Sequence, residues 1–514
     1  MKNEYLLGVD IGTYSSKGVL TNKDGQVIIT HVVQHDMDMP KPGYFEHDAE
    51  KIWWHDFVEI VKNILTKSGI DPKQIRGIGT SGIGACVLPI DAQGRPLRQA
   101  ILYGIDTRAT KEMEYLENVL GKHEIYRKNK TQLTSQESGP KILWIRNNEP
   151  AIYEKTRWFL TSQAYLVYKL TSVPSIDIYT ASGYAPLFDI YNFCWLENIA
   201  PYITPTDRLP KAYWSCEIVG KVTTEAARET GLAKGTPVIT GTTDAAAEAL
   251  SAGVVGFGDM MLMCGSSIFF VTKTMELVKT QHFWTSNFLE KDAYVFLGGM
   301  STSGSLTKWF RDQFAPLEVE SEKSGDENAY DALDKMAAKS TIGAKGLIML
   351  PYFEGERTPL HDPKAKGMLF GLSLKHTRKD VYRAILEGVG FGIYNNLEVM
   401  SKEGINPKRI LAVGGGTKND TWMQIISDIL NRELIIPKQQ IGASYGDAFM
   451  AGVGIGLFKS VNEINRWVKI KRIVKPNLKA HDKYALNYKI FCDLYKSTKS
   501  LMHELSDSLT NQSI

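Results

Sequence analysis

The sequence predicts an α/β protein built in two halves, each on a mostly parallel sheet. Three observations carry this. Short apolar strands alternate with helical segments through the second half of the chain. A small-residue turn between two short strands occurs once in each half, Gly12-Thr13-Tyr14-Ser15 and later Gly265-Ser266-Ser267. That is a weak repeat at half the chain length, not a solenoid period. Finally, 514 residues hold two large domains or three of about 150 residues.

Taken in order, Tyr5 to Val9, Gly18 to Thr21 and Val27 to Val33 read as strands, the last two joined as a hairpin through Asn22-Lys23-Asp24-Gly25. Trp53 to Lys67 has helical apolar spacing at Trp53, Phe57, Ile60 and Ile64. Gln74 to Gly79 and Ala85 to Ile90 read as strands around a glycine-rich turn. Lys141 to Arg146 and Tyr165 to Leu170 suit short helices. Met260 to Cys264 and Ile268 to Thr272 are strands on either side of the second small-residue turn. Then follow helix Thr307 to Phe314, strand Leu347 to Leu350, helix Val381 to Val399, strand Ile410 to Val413, helix Thr421 to Leu430, strand Leu434 to Ile436 and helix Asp447 to Gly454. The boundary is expected near 249–258, where Gly253, Gly256 and Gly258 cluster, dividing the chain into 1–250 and 251–514 with a C-terminal extension from about 458.

Composition removes several function classes. Apolar residues are 43% and charged residues 23%, the soluble globular norm. Sixty Lys plus Arg against 57 Asp plus Glu give a net charge of +3, too small for a polyelectrolyte nucleic-acid binder. The apolar run at the N-terminus is short for a signal region and is interrupted by Asp10, and the apolar stretch 238–256 contains Asp244 and Glu248, so no membrane association is expected. Five scattered cysteines without a CxxC pair (Cys86, Cys194, Cys216, Cys264, Cys492) are read as reduced, buried thiols of a cytoplasmic protein. The basic stretch from Arg466 to Lys483 reads as a solvated face.

No GxxxxGK[ST] is present, so a Walker-type site is excluded. Gly77-Ile78-Gly79-Thr80-Ser81-Gly82 is a formal GxGxxG, but a dinucleotide site needs a helix after it and a strand is expected instead. The segment is therefore read as a tight turn in a sheet; a nicotinamide dehydrogenase would require the helix. Three small-residue turns follow apolar strands directly: Asp10-Ile11-Gly12-Thr13, Gly265-Ser266-Ser267 and Gly414-Gly415-Gly416-Thr417. Turns without Cβ atoms let a phosphate approach consecutive backbone N–H groups, and three in one chain point to a nucleotide cleft between two domains. Asp10, beside the first turn, suits either Mg²⁺ held through water or simple turn stabilisation. Asp244 opens an Ala-rich helix after a strand and a glycine turn. Spacing by itself favours a helix cap with Glu248 in support, though the same place can present a base to a hydroxyl.

Together these motifs resemble the FGGY carbohydrate kinases, and within them the xylulokinase-like branch. The likeness runs from about Leu6 to Gly456. It rests on Asp10-Ile11-Gly12-Thr13-Tyr14-Ser15-Ser16-Lys17, on Gly43-Tyr44-Phe45-Glu46-His47-Asp48 before Trp53-Trp54, and on Pro140-Lys141-Ile142-Leu143-Trp144-Ile145. Gly367-Met368-Leu369-Phe370-Gly371-Leu372 with Asp380-Val381 and Ala384-Ile385-Leu386-Glu387 completes it. The resemblance implies two actin-like (ribonuclease H-like) ATPase domains closing over ATP and a sugar. It implies Asp244 as catalytic base, Asp10 as the Mg²⁺-associated carboxylate, and Gly12, Thr13, Gly265 and Ser266 on the phosphates. Gly304, Gly415 and Asn419 fall on the nucleotide side, and Asp106 in Tyr103-Gly104-Ile105-Asp106-Thr107-Arg108 on the sugar, with the usual Trp altered. It carries a tendency to form homodimers. The sugar side departs from the family. Ile83-Gly84-Ala85 replaces the xylulokinase Gln-Met-His run and the glycerol kinase Arg-Glu pair, and Ala245 replaces Asn after the base. Gly84 and Ala85 thus line a site stripped of hydroxyl-binding side chains, which weakens discrimination. The expected activity is ATP-dependent phosphorylation of a ketopentose such as xylulose. The alternatives are another ketose or a polyol as acceptor, an acceptor that is not a sugar, or a non-catalytic ATP-binding sugar sensor.

Overall fold

A computed structural model describes residues 4–130 and 132–512. Its first sheet contains β1 (Tyr5–Ile11), β2 (Ser15–Asn22), β3 (Val27–Gln34), β4 (Ile75–Gly82), β5 (Ile218–Lys221), β6 (Pro237–Ile239) and β7 (Thr242–Thr243). The order is β5-β6-β4-β1-β2-β3, with β7 alongside β4. The second sheet contains β8 (Asp259–Cys264), β9 (Ile268–Thr274), β10 (Trp284–Asn287), β11 (Tyr294–Met300), β12 (Arg409–Val413), β13 (Leu434–Pro437) and β14 (Ile470–Val474), ordered β10-β11-β9-β8-β12-β13-β14.

The two sheets repeat one plan. Read from β3, successive pairings in the first are antiparallel, antiparallel, parallel, parallel and antiparallel. Read from β11, the second gives the same series. The weak sequence repeat is therefore the trace of a duplicated six-strand order, in which β14 stands where β5 stands. The expectation of mostly parallel sheets is corrected to mixed sheets. Only three residues separate β1 from β2 and β8 from β9, too few for a crossover, so those neighbours must run antiparallel.

The helices that matter for the site are α1 (His55–Ser68), α2 (Ser138–Asn148), α3 (Asp244–Ala252), α4 (Gly304–Phe314), α5 (Arg378–Lys402), α6 (Asp420–Leu430), α7 (Ala443–Gly454) and α8 (Leu478–Gln512). α1 buries Phe57, Ile60, Val61 and Ile64, the expected face, against the first sheet. α3 and α7 pack on each other between the halves: a Cβ added to Gly446 would lie 2.2 Å from Ala247 O. α7 presses on the first sheet just as closely, so that a Cβ on Gly8 would fall 1.9 Å from Ser444 O and one on Gly79 2.2 Å from Asp447 O.

That contact corrects the reading of Gly77 to Gly82. The segment is not a turn but the central strand β4, and its glycines serve close backbone approach to a helix. No helix follows Gly82; residues 83–85 turn, and the next strand is Leu88–Ile90, shorter than expected. The dehydrogenase reading loses its required element. Cysteine burial is also corrected: Cys86 and Cys264 are buried, Cys216 and Cys492 partly so, and Cys194 is exposed. Lys469, Lys471, Lys475 and Lys479 are exposed on and around the edge strand β14, where lysines discourage edge pairing. Among the described residues no helix is long and apolar enough to cross a membrane.

Candidate active site

Asp244 stands where the first sheet gives way to α3. The chain leaves β6, turns at Gly241 (φ +73°), and pairs β7 with β4 before the helix begins. A side chain at 241 would meet Thr80 O at 2.0 Å, so glycine is required there. Thr243 precedes the helix and makes no side-chain cap bond; Asp244 is the first helical residue, and its Oδ1 accepts the Ala245 N–H at 2.7 Å. The cap-only reading is thus corrected: this carboxyl makes one local bond and lines a cavity of 310 Å³ between the halves. The first half contributes Gly84, Ala85, Tyr103, Asn129, Gln136, Glu137, Asp244 and Glu248 to its wall, the second Met263, Ser267, Phe269, Trp284 and Arg357.

The predicted turns have matching construction. Gly12 N–H donates to Ser15 O at 3.0 Å after β1, and Gly265 N–H to Ser267 O at 3.0 Å after β8. Gly304 N–H donates to Gly265 O at 3.0 Å and Ser303 N–H to Ser266 O at 3.0 Å, so the start of α4 rests on the second turn. A Cβ on Gly304 would stand 2.5 Å from Gly265 O. The third turn abuts the same strand end: Gly414 (φ +90°) approaches Cys264, while a Cβ on Gly415 would meet nothing. Asn419 Oδ1 caps α6 by accepting from Trp422 N–H at 2.6 Å.

Carboxyl groups gather beside the first turn. Burial pushes Asp10 up to about 6 and Glu248 up to about 7, the latter with the Asp10 charge adding to the effect. Asp244 is pushed up to about 8, first by burial and then by Asp10. A fourth, Asp447 on α7, is fully buried and held well above the usual carboxylate range by the same two causes. Ser81 Oγ lies 2.9 Å from Asp10 Oδ1 and 2.6 Å from Asp447 Oδ2. One hydroxyl proton cannot donate to both, so one carboxyl keeps its own proton and donates to Ser81.

Sequence reasoning and structure diverge at the acceptor end. Gly84 and Ala85 line the cavity as expected. Asp106 does not: its carboxylate is fully buried, paired with Arg108 Nη2 at 2.7 Å, and accepts Phe45 N–H at 2.7 Å. Its loop instead offers Tyr103, at the altered Trp position, whose hydroxyl lies 3.1 Å from Thr13 Oγ1. Buried Lys141 on α2 fixes that loop by donating to Leu102 O at 2.7 Å and Tyr103 O at 2.8 Å. Burial pulls this lysine down to about 8. Glu137, also at the cavity wall, is raised by burial to about 7. Sequence reasoning missed Gln136, Glu137, Arg357 and Asp447, because none stands beside a turn motif. The altered aromatic at 103 was the one local signal.

The residues fit a polyphosphate and a cation. The backbone is open at Gly415 and nearly so at Gly265, Arg357 lines the cavity with no ion-pair partner among the described residues, and carboxyl groups stand beside the first turn. Among the described residues no three or more His, Cys, Asp or Glu side chains form a ligand set for a metal. A cation here would complete its shell with phosphate oxygens and water.

This arrangement, a carboxyl facing an interdomain cleft flanked by duplicated glycine turns, fits the sugar-kinase class of phosphotransferase. The chain belongs to the FGGY family of carbohydrate kinases, matching its N-terminal domain over residues 5–251 and its C-terminal domain over 260–455. It is similar to the xylulose kinase of Staphylococcus epidermidis (strain ATCC 12228), 29% identical over 510 residues covering 98% of this chain and 99% of that one. The gluconokinase of Bacillus subtilis is 26% identical over 510 residues, covering 98% of each. The crystal structure of xylulose kinase from Rhodospirillum rubrum superposes with a TM-score of 0.89 at 28% identity, covering 97% of this chain and all of that one. The protein is an ATP-dependent sugar kinase.

Proposed function

We propose that the acceptor is a ketopentose such as xylulose, with Mg²⁺ held beside Asp10 and Asp244 taking the hydroxyl proton. The observation that carries this reading is Asp244 at the wall of a cavity that also reaches Ser267 of the second turn. The full-length likeness to xylulose kinases supports the substrate class. The chain's part in the reaction is positioning. Gly12, Thr13, Gly265 and Ser266 cradle the phosphates, and Gly304, Gly415 and Asn419 form the nucleotide side. Gly84, Ala85 and Tyr103 shape the acceptor end, and closure excludes water that would compete as acceptor. Mg²⁺ neutralises phosphate charge when bound.

A second reading, a larger ketose or a polyol, follows from the acceptor end. Gly84 and Ala85 present no hydrogen-bonding side chain, whereas Asn129 and Gln136 on the same cavity wall offer amides to further hydroxyls. An ADP-release screen over ketoses, aldoses and polyols tests both. The expected result is fastest turnover with D-xylulose; a longer ketose or polyol with higher kcat/KM replaces the first reading by the second. ATP binding with no acceptor-stimulated ADP release would make the protein a sensor.

A further inference from the structure

We infer that Arg357 is the cation that meets the transferring phosphoryl group, reached from the second half of the molecule across the cleft. The inference rests on the kinase reading and adds a residue that no sequence motif indicated.

Arg357 Nη2 donates to Ile268 O and to Met300 O, each at 2.9 Å. Ile268 directly follows the Gly265-Ser266-Ser267 turn, and Met300 directly precedes the segment that leads into α4, whose amides close that turn. The guanidinium is therefore mounted on the second phosphate turn. The fit is tight: a Cβ on Gly299 would lie 2.9 Å from Nη2. Both recorded partners are neutral carbonyls. The adjacent carboxylate, Glu356, accepts the Ser301 and Arg357 backbone N–H groups at 2.8 Å each. Nε is buried and has no partner among the described residues. A guanidinium mounted at the cavity wall with no ion-pair partner among the described residues is a site prepared for an anion.

Two anions are conceivable, a phosphoryl group or a carboxylate on the acceptor. The mounting decides between them: both carbonyls that hold Nη2 flank the segments that build the second turn, and Ser267 of that turn lines the same cavity as Arg357. Tyr103 of the first half, whose hydroxyl lies 3.1 Å from Thr13 Oγ1 of the first turn, lines that cavity too. Arg357 thus shares one cavity with residues tied to both turns. The nearby lysine, Lys17, has its Nζ on Ile441 O at 2.9 Å. In the step served, the acceptor oxygen bonds to the γ-phosphorus and the bond from that phosphorus to the bridging oxygen breaks. The electron pair leaves on ADP, and the hydroxyl proton passes to Asp244. Arg357 stabilises charge on the phosphoryl oxygens throughout.

Calorimetric titration of magnesium AMP-PNP and magnesium ADP into the parent, R357K and R357Q reads the contact without turnover. R357Q is expected to bind AMP-PNP about tenfold or more weakly while ADP affinity stays within about twofold. R357K, a point charge without the planar fork, falls between. With acceptor present, kcat of R357Q drops on the order of 10²-fold. Equal weakening of both nucleotides in both variants would mean that the residue only props up the turn, and overturns the inference. So does an unchanged contrast between nucleotides accompanied by loss of an acid sugar as substrate. A parent that binds nucleotides with the expected contrast yet phosphorylates no acceptor counts against the kinase reading, not against this contact.

Discussion

At the scale of single residues, the site turns on carboxyls that the fold keeps protonated more readily than water would. Asp244 at about 8 holds its proton at neutral pH in the ligand-free protein, whereas a base must be deprotonated. The pH profile of kcat/KM, which reports the free enzyme, should therefore rise through about pH 8. Asp244→Asn should lose at least about 10²-fold in kcat. A flat parent profile from pH 6 to 9, or near-parent turnover in a folded Asp244→Asn protein, would remove the group from the reaction. Bound cations pull such values down, so the profile of kcat should sit lower on the pH axis. Asp447 tests the same physics through stability. Its folded value is raised, so above the ordinary carboxyl range the unfolded chain has released a proton that the folded chain keeps. The parent thus loses stability from this group as pH climbs. Asp447→Asn has no proton to lose, so its Tm relative to the parent should increase between pH 5 and 8. A pH-independent offset would refute the assignment.

At the scale of elements, the packing of α7 on β1 and β4 sets the distance between Asp10, Ser81 and Asp447. Gly8→Ala places a Cβ 1.9 Å from Ser444 O, a clash with backbone that only helix displacement relieves. The expected cost is about 3 kcal/mol, read as a lower chemical-denaturation midpoint, together with reduced turnover because Asp10 moves. Gly415→Ala is the control. It meets nothing, so stability should hold while nucleotide affinity falls; unaltered affinity would take position 415 off the nucleotide side. The sequence was informative where one local rule decided the outcome. Apolar spacing marked α1, the Asp-Gly turn marked the hairpin, and paired small-residue turns marked the duplicated sheets. It misled where a distant partner decided. The run Gly77 to Gly82 reads as a strand breaking into a turn at its glycines until α7, more than 360 residues later, is seen against Gly77 and Gly79. Arg357 has no motif because its place is fixed by carbonyls of two distant strands.

At the scale of the whole molecule, the two sheets share one strand plan, yet their functional yields differ. The first carries the acceptor wall and most of the carboxyls; the second brings Ser267, Trp284 and Arg357 from the opposite side. Residues of both halves line the cavity, so turnover should require the halves to approach, with the α3–α7 contact as the joint that both share. Closure should depend on both ligands because each occupies a different wall of one cleft. Solution X-ray scattering should give a smaller radius of gyration with magnesium AMP-PNP and acceptor together than with either alone. The parent value should lie near 24 Å, as roughly expected for a compact chain of this length. Desolvation of the cleft is what keeps water from replacing the sugar, so acceptor-free ATP hydrolysis should be slow and should rise in variants that fail to compact. Equal radii in all liganded states, with hydrolysis still suppressed, would show that water is excluded by a preformed pocket and that the joint does not move.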